Sequence, residues 1–585
     1  MDRRRLFTLA YALCAGFDPT AAVAAAPSLP GAATPGGAMP ERPALALPEA
    51  VPAELYTVPA VPERGSVEAG QLRVPVRAFK LTGAEDHPEQ GLRLDEVREL
   101  LETARQAKPE GFGIGDLEDV ADRVTKLYRE RGFIVAQAYV PAQEVKDGEV
   151  EIAVLEGRLG RVTVDKGTET GYSDELLRRP FEDSIGQVVH KDRLERGLLL
   201  LRDYPGFDGL GIFRSGSRTG ETELVVKPQG DRPWIGTVTL DNGGSEVSGE
   251  WRLRGDLSWN NPTGAADRLD LSLLQTFDPL NSLFGGFVYQ RPIFDAATYW
   301  GVDVSHNQYD VGGEFQALGI SGISDIAELF VARKFVRSRQ QNFTGRLGLA
   351  RKHAVTEQED QPDQIDNLSV LSLQLDYDRV DAAGINVAQF RWSHGLPDFL
   401  GAMPSDSLDA SRKLADGSGV GSDFDKFELH LARVHNLPFA GQQLLLRLDS
   451  QYSADPLTSL EQFSMGGPDS VRAYPRAEFL VDKGVFVSAE WSIPAPGFAD
   501  EPAFRDLKWG QVFQLSLFAD YAKGWLNEPL QPSDSPVRLS GAGIGLRFQV
   551  PGEWQARLQV ATPLGSHDAS NDRNPQYFFD FVYNF

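Results

Sequence analysis

From Pro228 to the last residue, Phe585, apolar and polar side chains alternate one by one through stretch after stretch, without helical periodicity. In Glu250 to Trp259 the odd positions carry Trp251, Leu253, Gly255, Leu257 and Trp259, and the even positions Glu250, Arg252, Arg254, Asp256 and Ser258. Leu371, Leu373, Leu375 and Tyr377 alternate with Ser372, Gln374, Asp376 and Asp378. Phe513, Leu515, Leu517 and Tyr521 do the same with Gln514, Ser516 and Asp520. A period of two describes a strand with one apolar and one polar face. A soluble antiparallel sandwich has such strands, and so does a membrane barrel with lipid outside and water inside. The length of the series and the aromatics at strand ends favour the barrel. The roughly 353 residues from 233 onward, at about ten per strand plus a similar allowance for turns and loops, make close to sixteen strands; fourteen and eighteen stay open.

The two ends of the chain agree with that reading. Arg3, Arg4 and Arg5 precede an apolar run from Leu6 to Phe17 and then Ala-Ala-Val-Ala-Ala-Ala, the pattern of a secretory signal peptide over residues 1–26. Some twelve apolar residues are too few for a membrane anchor. No later window holds 18 consecutive apolar residues, so no transmembrane helix is expected. Cys14 is the single cysteine and lies in the leader, which leaves an exported chain without thiols to mispair. At the other end, Tyr577, Phe579, Phe581, Tyr583 and Phe585 occupy every second position up to the terminus. In a soluble protein such a strand invites aggregation.

Residues 27–70 carry nine prolines between Pro27 and Pro62 and read as a Pro/Ala-rich linker. Two small α/β modules follow, over 71–157 and 158–230. In the first, Gln71 to Lys80 reads as a strand, Leu92 to Ala107 and Leu117 to Arg131 as helices, and Val135 to Val140 with Val150 to Leu155 as a strand pair around Asp147-Gly148. The order repeats with a strand at Arg161 to Asp165, helices at Asp174 to Phe181 and Lys191 to Tyr204, and strands at Gly211 to Ser215 and Glu223 to Lys227. The barrel takes 231–585.

Catalytic signatures are missing. The chain has no G-x-S-x-G elbow, no H-E-x-x-H and no phosphate-binding G-x-x-x-x-G-K-[ST], so neither a hydrolase nor an ATPase is indicated. His430 and His435 are five apart on a strand and point to opposite faces, so they cannot share a metal. No cofactor and no metal is expected. A formal net charge of −25 without a basic block argues against a nucleic-acid partner.

Tandem α/β modules before a barrel of about 16 strands resemble the superfamily of outer-membrane assembly and transport barrels with polypeptide-transport-associated (POTRA) domains. Leu127-Tyr-Arg-Glu-Arg-Gly-Phe133, Val140-Pro-Ala-Gln143 and Asp147-Gly-Glu-Val-Glu-Ile-Ala-Val-Leu-Glu-Gly-Arg158 resemble the first POTRA domain of two-partner secretion transporters, the haemolysin-activator and filamentous-haemagglutinin-transporter family. Tyr128, Gly132, Pro141, Gln143, Gly148, Glu156 and Gly157 carry that match. Phe463-Ser-Met-Gly-Gly-Pro-Asp-Ser-Val-Arg-Ala-Tyr474 resembles the superfamily's Gly-Gly…Val-Arg-Gly-Tyr signature on a loop that folds back into the barrel, through Gly466, Gly467, Val471, Arg472 and Tyr474. Phe518-Ala-Asp520, with Gly524 downstream, resembles the strand element that supplies the arginine's partner. The resemblance implies a pair between Arg472 and Asp520, and alternation independently turns Asp520 inward. Ala473 departs from the family's glycine; if its φ is positive, alanine adds about 1 kcal/mol of strain.

The resemblance further implies the bacterial outer membrane, with POTRA domains in the periplasm, and export without ATP of a large secreted exoprotein bearing an N-terminal secretion domain. The other partners implied are the lipid bilayer and the barrel-assembly machinery, which would read the aromatic C-terminal strand. The family's frequent N-terminal plug helix finds little uninterrupted helical sequence here. A barrel-assembly factor of the same superfamily is the alternative; a passive porin leaves 71–230 without a purpose.

Overall fold

The computed structural model describes residues 30–40, 55–57 and 73–585, apart from 166, 168, 279–280, 360, 440 and 532–533. The leader, with its cleavage site, lies outside the described residues, as does most of 27–70.

In the first module, strands β2 (Ala78–Thr82), β3 (Gln137–Tyr139) and β4 (Glu149–Leu155) form a sheet in the order β2-β4-β3, backed by helices α2 (Leu94–Gln106) and α3 (Ile114–Glu130). Val97, Leu101 and Ala104 of α2 and Leu117, Val120, Ala121, Val124 and Tyr128 of α3 recur at helical spacing and are buried against Val150, Ile152 and Val154 of β4. Each buried Val or Leu contributes about 1.5–3 kcal/mol, so the shared core holds the helices in place. The first strand starts later than the sequence suggests. Pro75 has no N–H for a ladder, and among the described residues before Ala78 only Val74 forms a bridge, an isolated one to Phe112.

The second module pairs β5 (Arg158–Val164), β6 (Phe207–Ser215) and β7 (Glu221–Asp231) under α4 (Asp174–Arg178) and α5 (Lys191–Arg202). Helix α4 stops at Arg178, short of the expected Phe181, because Pro180 withholds an N–H; a 3₁₀ turn over Arg179–Ser184 continues it.

The segment 27–70 differs from a bare linker in two places. Tyr56–Thr57 form β1, a parallel fourth strand on the β6 edge, with Leu55 only 2% exposed in the module's core. Residues 30–40 lie inside the barrel. There a 3₁₀ turn leads into the one-turn helix α1 (Pro35–Ala38), with Pro at its first position and the Thr34 hydroxyl accepting from Gly37 N at 3.3 Å. Ala33 and Ala38 pack on Tyr309, Val311 and Ile320 of the wall.

Sixteen antiparallel strands close the barrel. They are β8 (Trp234–Asp241), β9 (Trp251–Asn260), β10 (Arg268–Asp278), β11 (Ser282–Pro292), β12 (Thr298–Asp310), β13 (Ile320–Arg337), β14 (Gln341–Gln358), β15 (Gln361–Asp381), β16 (Gly384–Gly395), β17 (Asp425–Asn436) and β18 (Gln443–Ser453). After the two short strands β19 (Phe463–Met465) and β20 (Phe479–Val481), which stand apart from the wall, come β21 (Lys483–Pro494), β22 (Phe513–Trp525), β23 (Val537–Val550), β24 (Trp554–Pro563) and β25 (Gln576–Asn584). Closure on β8 runs from Asp580 opposite Asp241 to Asn584 opposite Thr237. Leu253, Trp259, Leu273, Leu329 and Leu347 face outward and exposed, while Arg254 pairs with Asp256 inside. No helix among the described residues is long and apolar enough to cross a membrane; the strands do so.

The second module is clamped to the barrel. Asp203 caps the C-terminus of α5, where the helix dipole disfavours an anion. Arg337 donates to it from Nε at 2.9 Å and Nη2 at 2.8 Å, and Lys334 from Nζ at 2.8 Å, all from the end of β13. Arg339 Nε donates to Glu195 at 3.0 Å. Burial pushes the Asp203 carboxyl up, but Arg337 and Lys334 outweigh it and hold it below the ordinary range. A depressed carboxyl contributes at neutral pH and is lost as pH falls through its lowered value. Asp203→Asn is expected to weaken docking by about 3 kcal/mol. Faster hydrogen exchange in α5 and in the 337–341 turn, with the barrel unchanged, is the measurement that checks it.

Candidate functional site

The loop of residues 454–482, between β18 and β21, folds into the lumen instead of leaving the barrel. Strands β19 and β20 pair with each other to make a hairpin whose tip carries the glycine and arginine motif. Gly466 and Gly467 take φ of +99° and +102°, which reverses the chain in a conformation that side chains rarely adopt. Gly467 N then donates to Tyr474 O at 3.1 Å and closes the tip. Met465, Val471, Ala473 and Tyr474 are fully buried against Phe486, Phe518, Ala522 and Leu539 of the wall.

Arg472 is the centre of this arrangement. Its Nε and Nη2 each donate to Asp520 at 2.8 Å, one bond to each carboxylate oxygen, and its backbone N donates to the same residue at 3.2 Å. Nη1 donates to Glu490 at 2.5 Å and Nη2 also to Ser488 at 3.2 Å, while Ser488 Oγ donates to Asp520 at 2.7 Å. The guanidinium lies 3.4 Å from the centroid of the Phe518 ring. The side chains of Arg472 and Asp520 are 7% and 0% exposed, so the geometry is that of a buried fork-to-fork pair.

Ala473 does not take positive φ, so the strain that would fall on an alanine there is absent. Its methyl instead occupies the space above Gly541 of β23, where an added Cβ would lie 2.4 Å from it. Gly524 plays the same part on β22, since a Cβ there would meet Met465 Sδ and Val481 at 2.7 Å. Three acidic residues that sequence reasoning missed tie down the rest of the loop. Asp482, at 0% exposure, accepts from Arg412 Nη1 at 2.6 Å, Leu457 N at 3.0 Å and Asn527 N at 2.7 Å. Glu478 accepts from His567 Nε2 at 2.8 Å and Ser570 Oγ at 2.7 Å, and Tyr474 donates to His567 O at 3.1 Å. Glu461 accepts from Lys352 Nζ at 2.5 Å and Lys426 Nζ at 2.9 Å. Between this loop and the amino-terminal segment is a cavity of about 1230 Å³, lined in part by Pro30, Gly31, Arg476, Glu478 and His567.

The motif residues of the first module have a different role. Glu156, almost fully buried, accepts from Glu85 N at 2.8 Å and Tyr128 OH at 3.3 Å and binds His87 Nε2 at 2.9 Å. Burial and then the Glu156 charge push the Tyr128 phenol well above its ordinary range, so it stays a donor. Gly132 and Gly157, both at positive φ, receive Lys191 N and Val189 N at 2.8 and 2.9 Å and so join the two modules. Gly148, at φ +75°, accepts from Arg77 N and Ala78 N. Gln143, steadied by Pro141 O, exchanges two bonds with the Glu151 backbone at 2.7 and 2.9 Å. These residues brace the module and its joint. Glu85, His87 and Glu156 bring ligand-type atoms within 4.8 Å of one another, the grouping most like a metal site among the described residues. Arg158 already binds Glu85 and His87 already binds Glu156.

At the C-terminus Tyr577 and Tyr583 project outward with Phe585, whose N and O bond Gly236 at 3.0 and 2.9 Å. Phe579 and Phe581 occupy the same outward register, and Asp580 between them turns inward to Arg557 at 2.6 Å.

Residues 220–548 match the family model described as haemolysin secretion/activation protein ShlB/FhaC/HecB, and residues 79–157 match the POTRA domain of ShlB type. The chain is 23% identical over 551 residues to the heme/hemopexin transporter protein HuxB of Haemophilus influenzae strain 86-028NP, with 92% of each chain covered. The structure is similar to that of CdiB from Escherichia coli, at a TM-score of 0.65 and 20% identity over 91% of this chain and 94% of that one. It is also similar to BamA from Haemophilus ducreyi, at 0.52 and 14% identity, covering 87% of this chain and 100% of that one.

Gly541→Ala is expected to undock the loop at a cost of about 1–3 kcal/mol through its collision with Ala473. Ala473→Gly in the same chain should restore docking. Protease cleavage at Arg472 or Arg476 in the folded barrel reads both.

Proposed function

Because the chain belongs to the haemolysin secretion/activation family of ShlB/FhaC/HecB type, outer-membrane barrels with periplasmic POTRA domains, we propose that it exports one large partner exoprotein, unfolded, from periplasm to cell surface. Residues 71–157 and 158–230 are then the two POTRA domains and 231–585 the pore. The observation that carries this reading is a barrel whose lumen is occupied by its own loop, held there through the buried Arg472–Asp520 pair. A loop held by side-chain bonds can leave, and the space it vacates is a path for an extended chain.

The cargo adds as a strand to a POTRA sheet edge, where main-chain hydrogen bonds give affinity with little sequence demand. The β3 edge carries a half-exposed Tyr139. The β6 edge is already taken by Tyr56–Thr57, so a segment adding there displaces part of this chain. Folding of the cargo outside gives the direction, and no ATP or catalytic step is involved. The partner carries its own N-terminal secretion domain, and the aromatic strand ending at Phe585 is what the assembly machinery reads when it inserts this barrel.

A deletion strain tests the reading: one large extracellular protein should disappear while the integral barrels stay at their wild-type level. A general fall in barrels would make the chain an assembly factor. Arg472→Ala removes one partner of a buried pair, a cost of roughly 3–5 kcal/mol. Export is expected to fall severalfold while the barrel still migrates as a folded species on unboiled gels; unchanged export takes Arg472 out of the mechanism.

A further inference from the structure

Besides Arg472, one other buried charge of the loop is held by cations of the wall strands themselves, on β14 and β17. Glu461 ends the 3₁₀ turn Ser459–Glu461 near the start of the loop, and its side chain is 1% exposed. Lys352 of β14 approaches it at 2.5 Å and Lys426 of β17 at 2.9 Å, and Lys426 also lies 3.5 Å from Glu428. Gln451 Nε2 donates to the Glu461 carbonyl at 3.0 Å. Strand β14 is separated from β22, which carries Asp520, by β15, β16, β17, β18 and β21. Lys426 on β17 is separated from β21 by β18 alone, so Arg472 and Glu461 fasten one loop to two different sectors of the wall, β21 with β22 and β14 with β17, with opposite charge signs at the two ends.

Most other ion pairs of the wall join strand to strand or stay within one strand, as Arg346 with Glu328 and Arg447 with Asp449. Those pairs survive if the loop moves. The Glu461 pair does not: with the loop out, the carboxylate and both ammonium groups face water. A buried carboxylate needs its cations while docked, and water replaces them when the lumen is wet, so both states are accessible and the pair sets the balance between them. The amino-terminal segment sits on the same turn. Gly36 N donates to Ser459 Oγ at 3.3 Å, and a Cβ at Gly36 would fall 1.9 Å from the Ser459 carbonyl oxygen. Met39, Pro40, Lys352 and Glu461 line one cavity of about 230 Å³.

We propose that Glu461 is a second anchor of the pore-closing loop, a positioning residue that holds the lumen shut together with Arg472 and must leave Lys352 and Lys426 for a chain to pass. This rests on the transport reading above and deepens it. Either anchor alone keeps part of the loop in the lumen, so their loss is synergistic.

The test uses the full chain in planar lipid bilayers without cargo, so its outcome is separate from that of the export experiment. Glu461→Gln, Arg472→Ala and the double variant are compared by time-averaged conductance, with migration on unboiled gels confirming a folded barrel. The double variant is expected to exceed the product of the single effects by about tenfold or more. Lys352→Gln with Lys426→Gln, made from the wall side, should reproduce Glu461→Gln and serves if that variant does not fold. Wild-type conductance for Glu461→Gln, together with no added effect in the Arg472→Ala background, overturns the proposal. So does a wall-side variant that stays closed. A deletion strain with export intact would sink the transport reading and leave the anchor result standing.

Discussion

Asp520 is a carboxylate with no solvent contact on the inner face of β22, and such a group persists only beside a cation. The cation comes from Arg472, 48 residues earlier in the chain, and reaches Asp520 only if the loop turns back into the lumen. Much of the wall composition follows from that bond. Phe518, two residues before Asp520, offers its ring face to the guanidinium. Ser488 and Glu490 on the neighbouring strand take the remaining N–H groups. Gly524 and Gly541 stand where the loop lies closest, because any side chain there would occupy the loop's own volume.

The fold was legible because a period of two needs no knowledge of partners. A barrel of about sixteen strands, the two helix pairs and the inward turn of Asp520 follow from local pattern, while the choice of sixteen over fourteen or eighteen needed the structure. The Arg472–Asp520 pair was legible through short motifs at both ends. Glu461 escaped because its lysine partners lie 109 and 35 residues away and no short spacing marks a carboxylate for burial. Asp482, 70 residues from Arg412, escaped for the same reason. Ser488 and Glu490 could have been found, since they share a strand face at period two. Gly541 could not, being one of 58 glycines whose use depends on what crosses above it.

The amino-terminal segment shows where propensity misleads. Nine prolines between Pro27 and Pro62 suggest a chain without structure of its own, which concerns an isolated peptide. Inside the barrel, Ala32, Ala33, Gly37 and Ala38 are buried because they are small, and Pro35 starts a helical turn that needs only Thr34 to cap it. Leu55 fills the core of the second module at 2% exposure, and the residues after it pair with β6. Packing within a ready-made cavity replaces the stability that the sequence lacks.

The same period of two organises the lumen's charge. Residues two apart on a strand share a face, and Arg254 with Asp256, Arg268 with Asp270 and Arg447 with Asp449 bond each other in this way at 2.9, 2.6 and 2.9 Å. Half-exposed pairs of this kind add little to stability, about 0–1 kcal/mol each. Their effect is on the path: these arginines are neutralised by a carboxylate on their own strand, as Arg346 and Arg557 are by Glu328 and Asp580 on a neighbouring one, so an extended chain of either charge meets few unpaired charges along it. Closure uses a different device, in which Arg472 and Glu461 leave the loop and find their counter-charges on the wall, on β21 and β22 for the one and on β14 and β17 for the other. Local pairing keeps the wall passable, and remote pairing keeps the loop in place until something stronger displaces it.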